Sequence, residues 1–187
     1  MKKALKTCLT TFLAIIIILV LFASCGTSKE NKNTIKDINS MTYIDAVKYI
    51  AEKELKNDGE NLKITTSYYD GDNIMINYLV KSYWDGSDFV RKAFSHYVNV
   101  CKEAYTHKDA IEIYFNVDGV LIDSKGQEEV RTLIYLIMPI ENFRTYNWEN
   151  LKMRNLDFNQ ISQDCKIFNI KRPLINDFDE SKFYYLG

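Results

Sequence analysis

Apolar and polar residues alternate along this chain with the two periods that regular secondary structure requires. Recurrence every three or four positions predicts amphipathic helices, and recurrence every second position predicts strands. Thr42 with Asp45 three residues later forms a capping-box-like start for the first helix, and Asp85 or Ser87 is placed to cap the second. The predicted elements are a helix at 42–57, strands at 62–68 and 74–80 joined by the turn 70–73, a helix from about 87 to 107, and strands at 111–123 and 130–138.

An Asp-Gly pair leaves two interpretations of where the third strand ends. Asp118-Gly119 suits either a hairpin turn or a bulge within one long strand, and the bulge is preferred because residues 124–127 are a second turn signal. Pro139 stops the returning strand, since proline donates no hydrogen bond to a ladder. The weaker pattern beyond it predicts a short helix around 148–154, an edge strand at 165–170 and a C-terminal segment, 183–186, that packs against the domain.

The order of these elements, helix, hairpin, helix, hairpin, indicates the fold class. Because single strands do not alternate with helices, we expect an α+β domain in which an antiparallel sheet of about four strands carries the helices on one face. Residues 40–187 are enough for one domain with its own core. The stripe of the second helix that should face the sheet consists of Val90, Phe94, Tyr97, Cys101, Ala104 and Tyr105.

The N-terminal segment has the three-part layout of a secretory signal peptide. Three lysines precede an uncharged apolar stretch, residues 12–22, after which the small residues Ala23 and Ser24 lead to Cys25. This arrangement resembles the lipobox of bacterial prolipoproteins, with Phe22 at the position where leucine is usual.

The resemblance implies an address for the protein. Residues 1–24 would be removed as a signal peptide, and Cys25 would carry two acyl chains that hold the protein at the extracytoplasmic face of the cell membrane. Residues 25–39 are polar and predict a flexible tether that spans about 20 Å on average. An uncleaved anchor and ordinary secretion are the alternatives, although the apolar stretch is shorter than the roughly 20 residues of a membrane span.

Charge narrows the class of partner. The chain carries 24 basic and 25 acidic side chains, and without the three lysines of the signal segment 21 basic side chains face 25 acidic ones. Nucleic-acid recognition requires a clustered basic face, so no nucleic-acid partner is expected. The expected partners are the membrane, through the lipid on Cys25, and a protein or cell-wall component.

The sequence offers few candidate catalytic or metal-binding residues. His96 and His107 lie apart from any metal-binding spacing, and no catalytic motif is visible, so we expect no metal, no cofactor and no enzymatic activity. Asp70, Asp72 and Asn73 invite a calcium interpretation, but the needs of a tight turn explain them equally well.

Two cysteines belong to the predicted domain. Cys101 and Cys165 are compatible with a disulfide in an extracytoplasmic protein, or with free thiols that pack as small apolar side chains. Their spacing leaves both alternatives open.

Aromatic residues near turns are the remaining lead. Tyrosine and tryptophan combine large apolar area with a polar tip and are favoured at binding surfaces, although tyrosine is also simply common in strands. If a recognition surface exists, Tyr83, Trp84 and Trp148 are its first candidates. The sequence therefore favours a non-enzymatic, membrane-anchored binding domain. The alternatives are a solute-binding or transport-associated lipoprotein, and an envelope hydrolase with a polar cleft that places His96 or His107 beside a carboxylate.

Overall fold

The computed structural model describes residues 37–67, 73–122, 124–151 and 156–171. Contacts divide the chain into two units, Met1–Lys36 and Asp37–Gly187, and every described residue belongs to the second unit. Several predicted features lie outside the described residues, namely the signal segment, Cys25, most of the tether, the turn residues Asp70 and Asp72, and the segment 183–186.

The described elements form an α+β domain, as predicted. Their strands make one five-stranded sheet in the order β1-β2-β3-β4-β5. After a 3-10 turn at Ile38–Ser40, the elements are α1 (Tyr43–Glu54), β1 (Gly59–Ser67), β2 (Asn73–Val80), α2 (Gly86–Ala104), β3 (Ile113–Ile122), β4 (Glu128–Ile137), α3 (Ile140–Thr145), α4 (Phe158–Asp164) and β5 (Ile167–Ile170).

The first helix begins at the predicted capping box. The Asp45 N–H donates to Thr42 Oγ1 at 3.3 Å, and the Thr42 hydroxyl donates to Asp45 Oδ2 at 2.6 Å. The helix ends at Glu54, earlier than predicted, because the Gly59 N–H already caps the carbonyl of Leu55 at 2.8 Å and Gly59 begins β1. The domain also starts slightly before residue 40, since Asn39 Oδ1 accepts a hydrogen bond from the N–H of residue 108 at 3.1 Å.

The second helix is capped by Asp85, whose Oδ1 accepts the Asp88 N–H at 2.7 Å. All six residues of its predicted stripe are buried. Tyr97 contacts Phe115 of β3 edge to face, with ring centroids 5.2 Å apart, so the stripe faces the sheet as expected. The helix ends at Ala104, about one turn before His107.

The expectation of an antiparallel sheet of about four strands is confirmed only in part. The hairpins β1–β2 and β3–β4 are antiparallel, but β2 and β3 pair in parallel, and β5 adds a fifth, antiparallel strand at the edge. The physical reason lies in α2. Its 19 residues rise about 28 Å at 1.5 Å per residue, enough to return the chain along the whole of β2, so β3 starts beside the beginning of β2 and runs with it.

The prediction that Asp118-Gly119 lies within one long strand is confirmed, but the bulge itself lies on the partner strand β4. The register between β3 and β4 shifts between Val117 and Asp118, because Leu133 on β4 is an extra residue between the partners Ile134 and Thr132. The strand continues to Ile122, and the hairpin turn follows at 124–126. Gly126 supplies a positive φ of 77° in that turn, a conformation that favours glycine.

The C-terminal part of the domain differs from its prediction in one element. The short helix lies at Ile140–Thr145, directly after Pro139, and residues 148–150 form a turn. Residues 152–154 of the predicted helix lie outside the described residues. The edge strand is confirmed at Ile167–Ile170, where it pairs with the end of β4. Among the described residues, no helix combines the length and the apolar character that crossing a membrane requires.

Candidate binding surface

Three large apolar side chains are exposed in the described part of the chain. Trp84 is 94% exposed, Ile122 68% and Val130 55%. They lie at the same end of the sheet, close to Val120. Val130 is the register partner of Val120, and Ile122 lies two residues further along the same strand. Trp84 follows Tyr83, whose hydroxyl donates to the Val120 carbonyl at 2.6 Å. We call Trp84, Ile122 and Val130 the apolar end of the domain.

The loop that carries Trp84, residues 81–85, is held at several points. The Trp84 N–H donates to Asp88 Oδ2 at 3.1 Å, and Lys92 Nζ donates to the Ser82 carbonyl at 2.8 Å. Lys92 also approaches Asp88 Oδ2 at 3.5 Å, one helical turn away. The backbone of this presenting loop is therefore fixed by α2, while the indole of Trp84 extends into solvent.

Tyr83 joins the presenting loop to the hairpin β3–β4. Its ring meets the buried Phe89 edge to face at 4.8 Å, and its hydroxyl bonds the Val120 carbonyl. Burial raises the pKa of the Tyr83 phenol, and its hydrogen bond to the backbone partly opposes that rise. Tyr83 thus positions Trp84 and is itself only partly exposed.

Gly119 lies beside the bulge and brings the hairpin close to the same aromatic cluster. A Cβ at Gly119 would lie 2.5 Å from Leu133 Cδ1 and 2.9 Å from Phe89 Cε2, so the absence of a side chain permits this close packing. Phe89 therefore touches both Tyr83 and the backbone that precedes Val120, and one buried ring supports both halves of the apolar end.

The structure separates Trp148 from the other two predicted residues. Trp148 is 9% exposed, stacks on Tyr146 at 4.6 Å, packs on Phe143 at 4.8 Å, and donates from Nε1 to the Phe143 carbonyl at 2.8 Å. Its indole is part of the core and does not belong to the candidate surface. Ile122 and Val130 were not singled out from the sequence. The signal that would have found them is the excess of apolar residues on the predicted strand ends beside the turn.

The apolar end and the start of the domain lie at opposite ends of β3. The N-terminal residues bond the segment just before β3: His107 Nε2 meets the Met41 carbonyl at 3.2 Å, and the Tyr43 hydroxyl donates to the Ile111 carbonyl at 3.0 Å. The apolar end lies where β3 finishes at Ile122. The ten residues of β3 span about 33 Å at 3.3 Å per residue, which is the distance between the two ends.

His96 is the titratable group with the most distinctive surroundings. It is 6% exposed, its Nδ1 lies 3.1 Å from the buried Tyr78 hydroxyl, and its Nε2 lies 3.8 Å from Asp58 Oδ2. Burial lowers the pKa of His96 below its ordinary 6.5, the nearby Asp58 carboxylate opposes that change, and Lys92 reinforces it. Burial also raises the pKa of Tyr78 well above 10, so both groups are neutral at pH 7.

His107, unlike His96, contacts only backbone groups through its ring nitrogens. Its Nε2 faces the Met41 carbonyl at 3.2 Å, and its Nδ1 accepts the Asp109 N–H at 3.0 Å, so both ring nitrogens bond the backbone. The ring thereby joins the start of the domain to the segment before β3.

A shallow groove of about 330 Å³ lies between the end of α1 and α2. Glu54, Asn99, Lys102 and Glu103 line it. His96 does have a carboxylate neighbour in Asp58, as the hydrolase alternative asks, but 3.8 Å exceeds hydrogen-bond distance and neither histidine lines this groove. Within the described ranges, no three histidine, cysteine or carboxylate side chains converge as a metal site would require.

Both cysteines of the described domain are free and buried, so the disulfide alternative does not hold. Burial raises the pKa of the Cys165 thiol to about 12 and that of Cys101 higher still. Each thiol therefore packs as a small apolar group.

Comparisons with known proteins found no relative of this chain. No family model, no curated protein and no solved structure matches the chain.

Proposed function

We propose that this protein is a membrane-anchored extracytoplasmic lipoprotein whose domain binds a protein of the cell envelope through the apolar end. Cys25 carries the lipid, and Trp84 is the central contact residue, flanked by Ile122 and Val130. In this proposal the domain acts by binding rather than by catalysis.

The observation that carries the proposal is an almost fully exposed tryptophan on a fixed backbone. Trp84 is 94% exposed, so its apolar surface is left to solvent and adds little buried area to the fold. The loop around it is nevertheless bonded through Lys92, Asp88 and Tyr83. A side chain on a fixed backbone loses less conformational entropy on binding than one on a mobile loop, and tryptophan and tyrosine are enriched among binding hot spots.

The position of the apolar end favours a protein partner over the bilayer. A chain anchored at Cys25 enters the domain at Asp37, and the residues that follow bond the segment before β3, about 33 Å from the apolar end along the strand. The apolar end is therefore remote from the point at which the anchored segment joins the domain, and in this proposal a protein rather than the bilayer covers it.

The address is tested by labelling cells with an alkyne palmitate analogue. We expect the parent protein to incorporate the label and to remain in the membrane fraction after a salt wash. A Cys25→Ala variant should lose the label, whereas Cys8→Ala, in the signal segment, should keep it. Equal labelling of the Cys25→Ala variant would overturn the address.

The binding surface is tested by photo-crosslinking in intact cells. A benzophenone amino acid placed at Trp84 or Ile122 should give one crosslinked product of defined mass, and the same probe at Thr65, an exposed position on β1, should not. Trp84→Ala should abolish the product formed from position 122. Identical patterns from positions 84 and 65 would refute the proposed surface.

A further inference from the structure

His96 connects three elements that meet beside the presenting loop. The histidine lies within α2, its partner Tyr78 lies on β2, and Asp58 lies in the segment between α1 and β1. Tyr78 is fully buried, and the Asp58 side chain is 52% exposed. The imidazole therefore bridges a closed core on one side and a carboxylate in contact with solvent on the other.

The neutral ring fits this site in one tautomer. When the Tyr78 hydroxyl donates to Nδ1, the ring proton resides on Nε2, which faces the Asp58 carboxylate at 3.8 Å. Burial lowers the pKa of His96, so this neutral arrangement is the one present at pH 7.

Protonation changes each of these contacts. With a proton on both nitrogens the ring accepts no hydrogen bond, so the buried Tyr78 hydroxyl loses its acceptor. The charged groups that face His96 are Asp58 and Glu54, which attract the imidazolium, and Lys92, which repels it. Protonation therefore adds an attraction to the Asp58 carboxylate and a repulsion from the Lys92 ammonium.

The two residues that respond most directly also hold the presenting loop. The Asp58 carbonyl accepts the Lys81 N–H at 2.9 Å, at the first residue of the loop. Lys92 donates to the Ser82 carbonyl at 2.8 Å. A displacement of either residue therefore acts on the backbone that carries Trp84.

We propose that His96 is a proton-sensitive latch that couples extracytoplasmic pH to the loop presenting Trp84. The latch regulates the apolar end and so rests on the binding function proposed above. At neutral pH it holds residues 81–85 in the arrangement described. As the pH falls below 6.5, a proton taken from solvent by His96 reverses the Tyr78 contact: Nδ1–H now donates to the Tyr78 oxygen, and the buried hydroxyl proton is left without its acceptor. The rearrangement loosens the loop.

Fluorine NMR of the full-length protein in detergent, labelled with 5-fluorotryptophan, tests the latch. The chain has two tryptophans, and Trp84→Phe identifies their two signals. Between pH 8 and pH 5 we expect the Trp84 signal to shift and broaden along a single titration curve with its midpoint below 6.5. His96→Gln, which keeps an acceptor for the Tyr78 hydroxyl and does not titrate, should flatten that curve.

An exposed variant keeps the test decisive even if His96→Gln folds poorly. Asp58→Asn removes the nearest anion and should move the midpoint to lower pH, whereas Glu52→Gln removes an exposed carboxylate that does not face His96 and should leave it in place. A titration that survives His96→Gln, or a midpoint unaffected by Asp58→Asn, would overturn the latch. This readout needs no partner, so the latch and the binding proposal can fail separately.

Discussion

Replacing Gly119 with alanine tests whether close packing at the bulge determines the geometry of the apolar end. The new Cβ would lie 2.5 Å from Leu133 Cδ1 and 2.9 Å from Phe89 Cε2, both closer than carbon atoms can approach. Among the described glycines, only Gly126 has a positive φ, so no backbone strain is added at Gly119 and the cost comes from overlap alone.

The magnitude follows from how little the neighbours can move. Leu133 is 1% exposed and Phe89 is 0% exposed, so neither side chain has solvent to move into. Overpacking a closed core costs about 1–3 kcal/mol, and we expect Gly119→Ala to lower the free energy of unfolding by about 2–3 kcal/mol. For a domain of this size each kcal/mol corresponds to about 2–4 °C in Tm.

Urea unfolding followed by circular dichroism measures this cost in a soluble form that begins at residue 26. Leu133→Val shortens the overlapping side chain, so Gly119→Ala should cost about 1 kcal/mol less in that background. Gly126→Ala is the matched control, because its Cβ meets nothing within 4 Å and its cost comes from its φ of 77°. A Gly119→Ala cost that is absent, or equal with and without Leu133→Val, would refute the packing argument.

Three further measurements follow from single interactions. Tyr83→Phe keeps the ring contact but loses the hydrogen bond to Val120, so urea unfolding should show a loss of about 0.5–1.5 kcal/mol, and no loss would contradict the bond. Folding lowers the pKa of His96, so its contribution to the free energy of unfolding is complete above pH 6.5 and declines as the pH falls below that value. The difference between the urea midpoints at pH 7.5 and pH 5.5 should therefore be smaller in His96→Gln than in the parent. Cys101 and Cys165 should resist a thiol-specific reagent until urea unfolds the domain, and rapid labelling of the native protein would contradict their burial.

Local elements were predictable because their signals are local. The capping box at Thr42, the cap at Asp85 and the period of two along the strands depend on residues within one or two turns of each other. The continuity of β3 was predictable for the same reason, since a turn signal at 124–127 leaves Asp118-Gly119 inside a strand. Each of these features is specified by backbone geometry that short sequence windows carry. That the extra residue of the bulge would lie on β4 was not predicted.

The direction in which β3 pairs was harder to predict, because it depends on where α2 delivers the chain. A hairpin-helix-hairpin order is compatible with an antiparallel sheet whenever the helix connects neighbouring ends of two strands. Here α2 is about 28 Å long and β2 about 26 Å. The helix therefore returns the chain to the end of the sheet at which β2 began, and the next strand runs parallel to β2. Comparing these two lengths is a test that the sequence alone permits.

The two tryptophans show why residue type alone did not define the site. Both follow a tyrosine by one or two positions near a turn, yet Trp148 is buried against Tyr146 and Phe143. Trp84 is 94% exposed, and its loop is held by the Trp84 backbone N–H and by neighbouring side chains. The Trp84 indole can therefore be removed without disturbing the bonds that fix its own backbone. Under the proposed binding function, this independence separates stability from recognition at the apolar end: Tyr83 supports the fold there, and Trp84 supplies the surface proposed to contact a partner.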